Sequence, residues 1–339
     1  NIMTDAPTAP AGPYENGAAS GVWSLAEALS YTKGGLWPTA GNSQRGVIGG
    51  GFSASDTRTN VLQYISIGST GNSTDFGDMT IAAVSRAGMA SSTRGVYSGG
   101  LTGSGNSNVI EYVTLANTGN GTDFGDLTVA RNELRGCASP TRGIIGGGKN
   151  SSNSPTNILD YITIASVGNA TDFGNLTAAR DPMALASSVR AVFAGGNSQS
   201  ASQSVNTMDY ITIASTGNAS DFGDLSRVTN QGCGLSSATR GVFTGGPTSG
   251  QTVEYITIAS TGNATDFGDL TVNRTYVTGL SSATRGVHAG GNGGGGETYS
   301  SVIDYITIAS TGDSTDFGDL VTPAQGTTGV SNDHGGLAA

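Results

Sequence analysis

Cysteine and positively charged residues are both scarce in this sequence. Only two cysteines occur among 339 residues, Cys137 and Cys233, so a framework of several disulfides is excluded and both are expected to be buried thiols. The 15 Lys and Arg residues against 25 Asp and Glu give a net charge of −10, which argues against a nucleic-acid partner. Because no run of 18 apolar residues occurs, membrane insertion is not expected either.

Histidine and glutamate are scarce as well, which limits the chemistry that the chain can perform. The two histidines, His288 and His334, lie far apart without ligand companions, so neither a zinc or copper centre nor another cofactor is expected. Glu111 and Glu254 occupy the same position in two copies of an internal repeat. The catalytic acid of a glycosidase, in contrast, should occur once in the chain. We therefore predict that the chain is not an enzyme.

The sequence does contain one motif in six near-identical copies. The clearest copy is YITIASTGNATDFGDL at residues 255–270. Successive copies start 45 to 50 residues apart, a period typical of propellers and other repeat folds. In each copy four short segments are separated by turn residues, as in GLSSA, GVHAGG, VIDYITIA and DFGDL between residues 279 and 320. Four short strands per period of this length make one propeller blade. The predicted fold is an all-β propeller of four-stranded blades.

The number of blades depends on how the ends of the chain are used. The third- and fourth-strand patterns occur six times, but the first-strand pattern returns again at residues 326–331. Because an open ring would leave an exposed edge strand, we expect seven blades, the last built from both termini with 21–25 as its outer strand. Six blades are the alternative. Residues 1–38 are predicted to be an extended Pro/Gly-rich lead-in used for attachment, and 39–339 to form the propeller.

The repeat resembles that of the kelch family of β-propellers, with Phe where kelch repeats have Trp. The matching residues in one copy are Arg274, 279–282, Gly290, Gly291, Tyr305 and Phe317. The sequence motifs YITIASTGNATDFGDLT and SSxTRGVxxGG are also similar to those of repeat proteins of marine phage virions. The segment 21–38, GVWSLAEALSYTKGGLWP, resembles the lead-in of phage and bacterial surface fibres. These resemblances imply a kelch-like propeller on a phage tail fibre or another virion appendage.

Two sets of repeated polar residues are assigned to the framework. The segment 314–319 resembles the Asp-box of sialidase-type propellers, which implies that the first Asp of each copy caps a turn. The arginine before each second strand is expected to pair with a turn carboxylate, Arg285 with Asp266 or Asp316. Calcium bound by Asn263, Asp266 and Asp269 is the alternative role for the acidic turns. The framework residues are Asp75, Asp123, Asp172, Asp221, Asp266, Asp316, Arg94, Arg142, Arg190, Arg240 and Arg285.

The segments that differ most between copies lie between the second and third strands. These loops are rich in Ser, Asn, Thr, Gln and Gly and almost uncharged, which suits carbohydrates or other polar ligands. The candidate ligand-binding residues are Ser53, Ser55, Asn106, Ser107, Asn150, Asn153, Asn197, Gln199, Thr248, Gln251, Asn292 and Thr298.

These features together predict a non-enzymatic phage virion component, exposed on the virion surface and used in host attachment or decoration. Its expected partners are a host cell-surface glycan or receptor and, through the N-terminal segment, other virion proteins, with a homo-oligomer as an option. A purely structural virion or cell-surface scaffold is the alternative function. The third is a glycan-active propeller enzyme, which a non-equivalent carboxylate pair lining the central channel would support.

Overall fold

The fold consists of six antiparallel sheets of short strands, arranged as the blades of a β-propeller. The computed structural model describes residues 44–53, 57–198, 203–246, 250–293 and 299–337. The lead-in predicted at 1–38 and the outer strand predicted at 21–25 lie outside these residues. The innermost strands of neighbouring blades contact one another in a closed ring. The prediction of an all-β propeller with four-stranded blades is thereby confirmed.

The four main strands of each blade run from the channel outwards in a constant order. Blades 1 to 3 contain β31 (Thr328–Ser331), β1 (Arg45–Gly49), β3 (Val61–Ser66) and β4 (Thr74–Asp78); β5 (Ala87–Ala90), β6 (Arg94–Ser98), β9 (Val109–Thr114) and β10 (Thr122–Asp126); and β11 (Arg135–Ala138), β12 (Arg142–Gly146), β13 (Ile158–Thr163) and β14 (Thr171–Asn175). Blades 4 to 6 contain β15 (Met183–Ala186), β16 (Arg190–Ala194), β18 (Gln203–Thr212) and β19 (Ser220–Thr229); β20 (Cys233–Ser236), β21 (Arg240–Thr244), β22 (Thr252–Thr257) and β23 (Thr265–Asp269); and β25 (Thr278–Ser281), β26 (Arg285–Ala289), β28 (Val302–Thr307) and β29 (Thr315–Asp319). The shorter strands are β2 (Phe52–Ser53), β7 (Leu101–Thr102), β8 (Gly105–Asn106), β17 (Asn197–Ser198), β24 (Arg274–Thr275), β27 (Asn292–Gly293) and β30 (Ala324–Gln325), and Gly335–Leu337 forms a 3₁₀ turn.

The ring closes at blade 1, which combines the first and the last strands of the described chain. β31 pairs antiparallel with β1, with Val330 opposite Val47. The last copy of the first-strand pattern therefore completes blade 1 rather than beginning a seventh blade, so the described residues contain six blades, the lower of the two expected counts. The physical reason is that β1 would otherwise carry an unpaired inner edge, and one strand suffices to pair it.

Each blade packs on the next through an aromatic pair. The Phe of every Asp-Phe-Gly segment is buried, and the Tyr of the adjacent third strand meets it edge-on, as in Tyr112 and Phe124 with ring centroids 6.0 Å apart. Phe124 in turn joins one hydrophobic cluster with Ile162 and Ile164 of blade 3. The fixed Tyr-to-Phe spacing of the sequence is thus a packing requirement of the framework.

The repeated arginines stack on tyrosine and bond a backbone carbonyl of the next blade. The guanidinium of Arg94 lies 4.1 Å from the ring centroid of Tyr112 and donates to the Ile164 carbonyl at 2.7 Å. Arg285 likewise covers Tyr305 and donates to the Ile67 carbonyl at 2.8 Å. The predicted carboxylate pairing is therefore wrong: the flat guanidinium covers the tyrosine of its own blade, and its free edge reaches the neighbour. Arg142, Arg190 and Arg240 make the same contacts.

Replacing Arg94 should test this double role. Arg94→Ala is expected to lower the free energy of unfolding by about 1–3 kcal/mol, because it removes both the stacking and a charge-assisted hydrogen bond. Arg94→Lys retains the charge but not the planar stack, so it should recover only part of the loss. Urea unfolding with Ser92→Ala, an exposed neighbour, as the control would measure both effects. Two Arg94 variants as stable as that control would contradict the assignment.

In the third-to-fourth-strand turns, the side chain that bonds the backbone is an asparagine in five copies and Asp313 in the sixth, and not the first Asp of Asp-Phe-Gly. Asn120 accepts a hydrogen bond at 3.0 Å from the backbone N–H of Asp78 in the preceding blade. The first Asp of each Asp-Phe-Gly segment is exposed instead, and within the described residues its side chain has no hydrogen bond. The prediction that these aspartates cap their turns is therefore wrong. The residue three positions earlier accepts the hydrogen bond instead, and its short side chain reaches across the blade interface. The equivalent caps are Asn72, Asn169, Asn218, Asn263 and Asp313.

An ion pair between arginine and a carboxylate anchors the segment that enters five of the six blades, and in four of these pairs both side chains are buried. Arg131 donates to Asp160 at 2.6 Å with both side chains fully buried, and also to the carbonyls of Gly147 and Ile158. It therefore holds the entering segment against the second and third strands. The other buried pairs are Arg86–Glu111, Arg180–Asp209 and Arg274–Asp304. The fifth pair, Arg227–Glu254, is longer at 3.8 Å, and its arginine is partly exposed.

Whether the acid of a pair is aspartate or glutamate depends on where its arginine lies in the repeat. The arginines that pair with aspartate, Arg131, Arg180 and Arg274, all occupy one repeat position. Arg86 lies three residues after that position and Arg227 two residues before it, and both pair with the longer glutamate. In blade 1 the arginine position is Ala324 and the acid is Gln63, whose amide bonds the backbone of residue 322. A charged residue thus occupies either position of a pair only in blades where the other position carries the opposite charge. This is expected because a buried charge without a partner is strongly destabilising.

Candidate functional site

The alternation of the strands gives the propeller two different faces. One, here called the turn face, carries the tight turns between first and second and between third and fourth strands. The other, the loop face, carries the loops between second and third strands and the segments that lead from one blade into the next. The turns repeat almost unchanged, whereas the loop-face segments vary in length and chemistry. Sequence divergence within the chain therefore points to the loop face.

The central channel is narrow and lined mainly by small residues and backbone. Its cavity measures about 70 Å³. At Gly136 an added Cβ would lie 2.5 Å from the carbonyl oxygen of Gly88, so the inner strands approach too closely for a larger residue. At the turn-face end, the His334 ring lies against the Ala90 carbonyl, with Nε2 2.9 Å from that oxygen. The channel itself has room for a few water molecules rather than a larger ligand.

A ring of residues in unusual backbone conformation surrounds the channel mouth on the loop face. The mouth belt consists of the equivalent residues Ser85, Glu133, Pro182, Gln231, Tyr276 and Gly326. All except Pro182 have φ between 52° and 63°, the left-handed region that favours glycine. Their backbones are chained by N–H···O=C bonds, from Glu133 to Ser85, Ser85 to Gly326, Gly326 to Tyr276 and Tyr276 to Gln231. Strain held in place by such bonds is commonly found at ligand sites.

Beside the belt, three charged side chains from blades 3 and 4 form one cluster. The ammonium of Lys149 lies 2.5 Å from a Glu133 carboxylate oxygen and 3.2 Å from one of Asp181. Burial and the neighbouring Asp181 raise the pKa of Glu133, although Lys149 opposes the shift. Burial lowers the pKa of Lys149, but the two carboxylates outweigh it and the pKa is raised overall, so Lys149 stays charged. The cluster is singular, because no other blade has a lysine at this position.

Next to this cluster lies a cavity of the loop face, here called the mouth cavity. It measures about 200 Å³ and is lined by residues of blades 1, 2, 3 and 6. One side is apolar, with Phe52, Val84 and Leu101. The lining is completed by polar and aromatic groups, Ser85, Asn132, Glu133, Tyr276 and Gln325, and by Gly326. Mixed apolar and directed polar lining is typical of small-ligand sites.

The predicted loop residues are mostly occupied in holding their own loops. Asn150 accepts hydrogen bonds from the N–H groups of Ser152 and Ser154, and Ser107 accepts from Val109. Ser53 donates to the Thr57 carbonyl, Gln251 donates to the Leu270 carbonyl, Asn292 pairs with the backbone of Thr275, and Asn153 is exposed in a left-handed conformation. Of the predicted set, Asn106 and Asn197 belong to the polar network beside the mouth: Asn106 bonds Asn132 and the Lys149 carbonyl, and Asn197 bonds Asp181. Ser55, Gln199, Thr248 and Thr298 lie outside the described residues.

Sequence reasoning missed the residues that form the mouth cavity, above all Asn132, Glu133 and Tyr276. They lie in the segments that enter the blades, not in the second-to-third-strand loops. One signal was available: at the repeat position of Glu133 and Tyr276 the six copies carry six different residue types. Divergence at a single position between otherwise similar copies indicates a place that the framework does not constrain.

No protein-family model matches the sequence, and no curated protein is significantly similar to it. In the part of the chain that the structure describes, no helix has the length and hydropathy of a membrane span, and no three His, Cys, Asp or Glu side chains converge as metal ligands would. The side-chain oxygen of Asn263, one of the predicted calcium ligands, accepts a hydrogen bond from the backbone N–H of Asp224 in the preceding blade.

Proposed function

We propose that this chain is a non-enzymatic recognition module of a phage tail fibre or other virion appendage, which binds a host-surface glycan through its loop face. The observation that supports it best is the mouth cavity, which combines apolar and polar lining on the face where the segments vary between the repeats. The resemblance of the repeats to kelch and marine phage virion repeats, and of residues 21–38 to fibre lead-ins, supplies the phage context. Binding of other virion proteins through residues 1–38 stays a prediction.

A glycan-active enzyme is the second candidate, since Glu133 and Asp181 form a carboxylate pair that the other blades do not have. Both carboxylates, however, bind the same Lys149 ammonium. Glycosidases hold their two carboxyl groups about 5–9.5 Å apart, on either side of the scissile bond. Two carboxylates side by side on one ammonium are arranged to support a loop rather than to flank a sugar linkage. The geometry therefore favours binding over hydrolysis.

The proposal is tested by comparing the two faces on an array of bacterial surface polysaccharides. The loop-face variant Asn106→Ala/Asn197→Ala should bind about tenfold more weakly than the unmodified chain. The control Asn117→Ala/Thr118→Ala changes exposed residues of the turn face and should leave binding unchanged. Equal loss in both variants would overturn the assignment to the loop face. A chain that binds no polysaccharide on the array and does not compete with phage adsorption would favour the structural scaffold instead.

A further inference from the structure

We propose that the loop-face end of the channel binds the carboxylate of an acidic sugar through Arg135, an inference that rests on the proposed glycan recognition. Arg135 is the first residue of β11, the innermost strand of blade 3. It lines a cavity of about 50 Å³, here called the axial cavity, which lies where the innermost strands begin. A space of this size holds a substituent of a sugar rather than a whole ring, since one water molecule already needs roughly 10–15 Å³.

The charge of Arg135 is not part of the repeated framework. The residues at the same position of the other innermost strands are all uncharged: Ala87, Met183, Cys233, Thr278 and Thr328. The arginine that begins each second strand, in contrast, recurs in all six blades. Because five blades form without a charge at the position of Arg135, the blade structure does not require it, and its presence in one blade points to another role.

The guanidinium of Arg135 also has donors that the protein leaves open. Every other arginine of the described residues either pairs with a carboxylate or lies over an aromatic ring. Arg135 has neither contact among these residues, and its guanidinium makes one hydrogen bond, to the Leu134 carbonyl at 3.1 Å. The residue is partly exposed and lines the axial cavity, so a ligand can reach the remaining N–H groups. A guanidinium with such free donors binds a planar carboxylate through two parallel hydrogen bonds.

The charges near the axial cavity favour a ligand group with a single negative charge. Lys149 compensates only one of the two carboxylates that it contacts, Glu133 and Asp181. This part of the loop face therefore carries one surplus negative charge beside the one free positive charge of Arg135. The guanidinium neutralises a carboxylate completely, whereas a phosphate monoester, which is close to doubly charged at neutral pH, would leave a negative charge facing the acidic cluster.

The axial cavity and the mouth cavity share a wall. Tyr276 and Gly326 line both of them. The mouth cavity, at about 200 Å³, has the size for one pyranose ring, and its apolar side, which includes Phe52, suits the C–H face of that ring. Burial and the charge of Glu133 raise the pKa of Tyr276, so its hydroxyl stays protonated and can donate to the ligand. A sugar with its ring in the mouth cavity and its carboxylate in the axial cavity occupies both spaces.

The repeat supplies a variant that removes the charge and keeps a long unbranched side chain. Arg135→Met places in blade 3 the residue that blade 4 has at the same position as Met183. Arg135→Lys keeps the charge but not the planar arrangement of donors. Thr118→Glu, at an exposed position of the turn face, changes the net charge of the chain by the same amount as Arg135→Met and is the control for long-range electrostatics. Urea unfolding of each variant checks that it is folded.

The test is a titration of the full chain at neutral pH, followed by NMR, with glucuronic acid against glucose and galacturonic acid against galactose. At least one uronic acid should bind about tenfold or more tightly than its parent hexose, and its methyl ester should bind as weakly as the hexose. Arg135→Met should abolish this preference, Arg135→Lys should retain only part of it, and Thr118→Glu should leave it unchanged.

Three results would overturn the inference. The first is equal binding of both members of each pair, and the second is a preference that is undiminished in Arg135→Met. The third is tighter binding of glucose 6-phosphate than of either uronic acid, because it would show that the site selects a different anion. If Arg135→Met does not fold, an undiminished preference in Arg135→Lys has the same meaning as the second result.

The two proposals fail in different ways. If the chain binds bacterial polysaccharide on the array but shows no preference for a uronic acid, glycan recognition stands and the carboxylate site is wrong. If a uronic acid binds with the expected variant pattern but the chain binds no polysaccharide and does not compete with adsorption, the site stands and host attachment is wrong.

Discussion

A chain that ends at Pro323 is expected not to form a folded monomer. The deletion removes β31, which pairs with β1 and packs Val330 against Val47, Ala90 and Tyr97. The inner edge of β1 would then be exposed, and contacts of β31 with the neighbouring inner strands would be lost on both sides. The lost burial and strand pairing are comparable to the roughly 5–15 kcal/mol by which whole domains are stable. Size-exclusion chromatography and urea unfolding would measure the loss.

Two further chains make this deletion interpretable. A chain that ends at Leu337 keeps β31 and should unfold with the full-length protein. Addition of a synthetic peptide of residues 324–339 to the truncated chain should restore a monomeric complex, because the peptide supplies the missing edge partner. A truncated chain that is monomeric and unfolds cooperatively at the original urea concentration would show that the ring does not depend on β31.

Asp160→Ala is expected to lower the free energy of unfolding by about 3–5 kcal/mol, because it leaves the Arg131 charge buried without a partner. Burial already lowers the pKa of Arg131, and Asp160 is the group that opposes that shift. The exposed Asp123→Ala is the control and should change stability by less than about 0.5 kcal/mol. Urea unfolding of both variants is the measurement.

The double variant Arg131→Ala/Asp160→Gln copies the pair Ala324 and Gln63 that blade 1 uses at the same positions. It should be clearly more stable than Asp160→Ala alone, since no charge is left unpaired. A double variant that loses as much as the sum of its two single changes would contradict the idea that the pair acts as a unit. In that case the acid would stabilise the blade by its hydrogen bond to Thr128 instead.

The blades could be predicted from the sequence because their signals are local. Strands such as 302–309 alternate on a period of two, and glycine pairs mark the ends of second strands. The blade count could not be predicted in the same way. It depends on the pairing of β31 with β1, in which Asn332 and Arg45 meet across 287 positions of the chain, and local pattern contains no information on that distance.

The contacts of the repeated arginines and the position of the mouth cavity could not be predicted from local sequence pattern, for a related reason. Spacing placed Arg285 on the same face as several carboxylates, but the tyrosine beside it and a carbonyl of the next blade are its contacts. The mouth cavity combines Phe52, Asn132 and Tyr276 from three different blades. Divergence at the repeat position of Tyr276 was visible in the sequence, but only the closed ring brings the three residues together.

Recognition through the loop face can be tested most directly by blocking one face of one blade at a time. Ser104→Cys lies in the loop between β7 and β8 on the loop face, and Ser92→Cys in the turn between β5 and β6 on the turn face; both positions are exposed. Each can be coupled to a maleimide polyethylene glycol. Burial raises the pKa of Cys137 and of Cys233 to about 12, so the native thiols should not react in the folded protein.

Binding of the two conjugates to the polysaccharide that the unmodified chain binds is the deciding measurement. The loop-face conjugate should lose at least about 90% of the binding, and the turn-face conjugate should retain it, as should both variants before coupling. Retained binding by the Ser104→Cys conjugate together with loss by the Ser92→Cys conjugate would place recognition on the turn face and contradict the account.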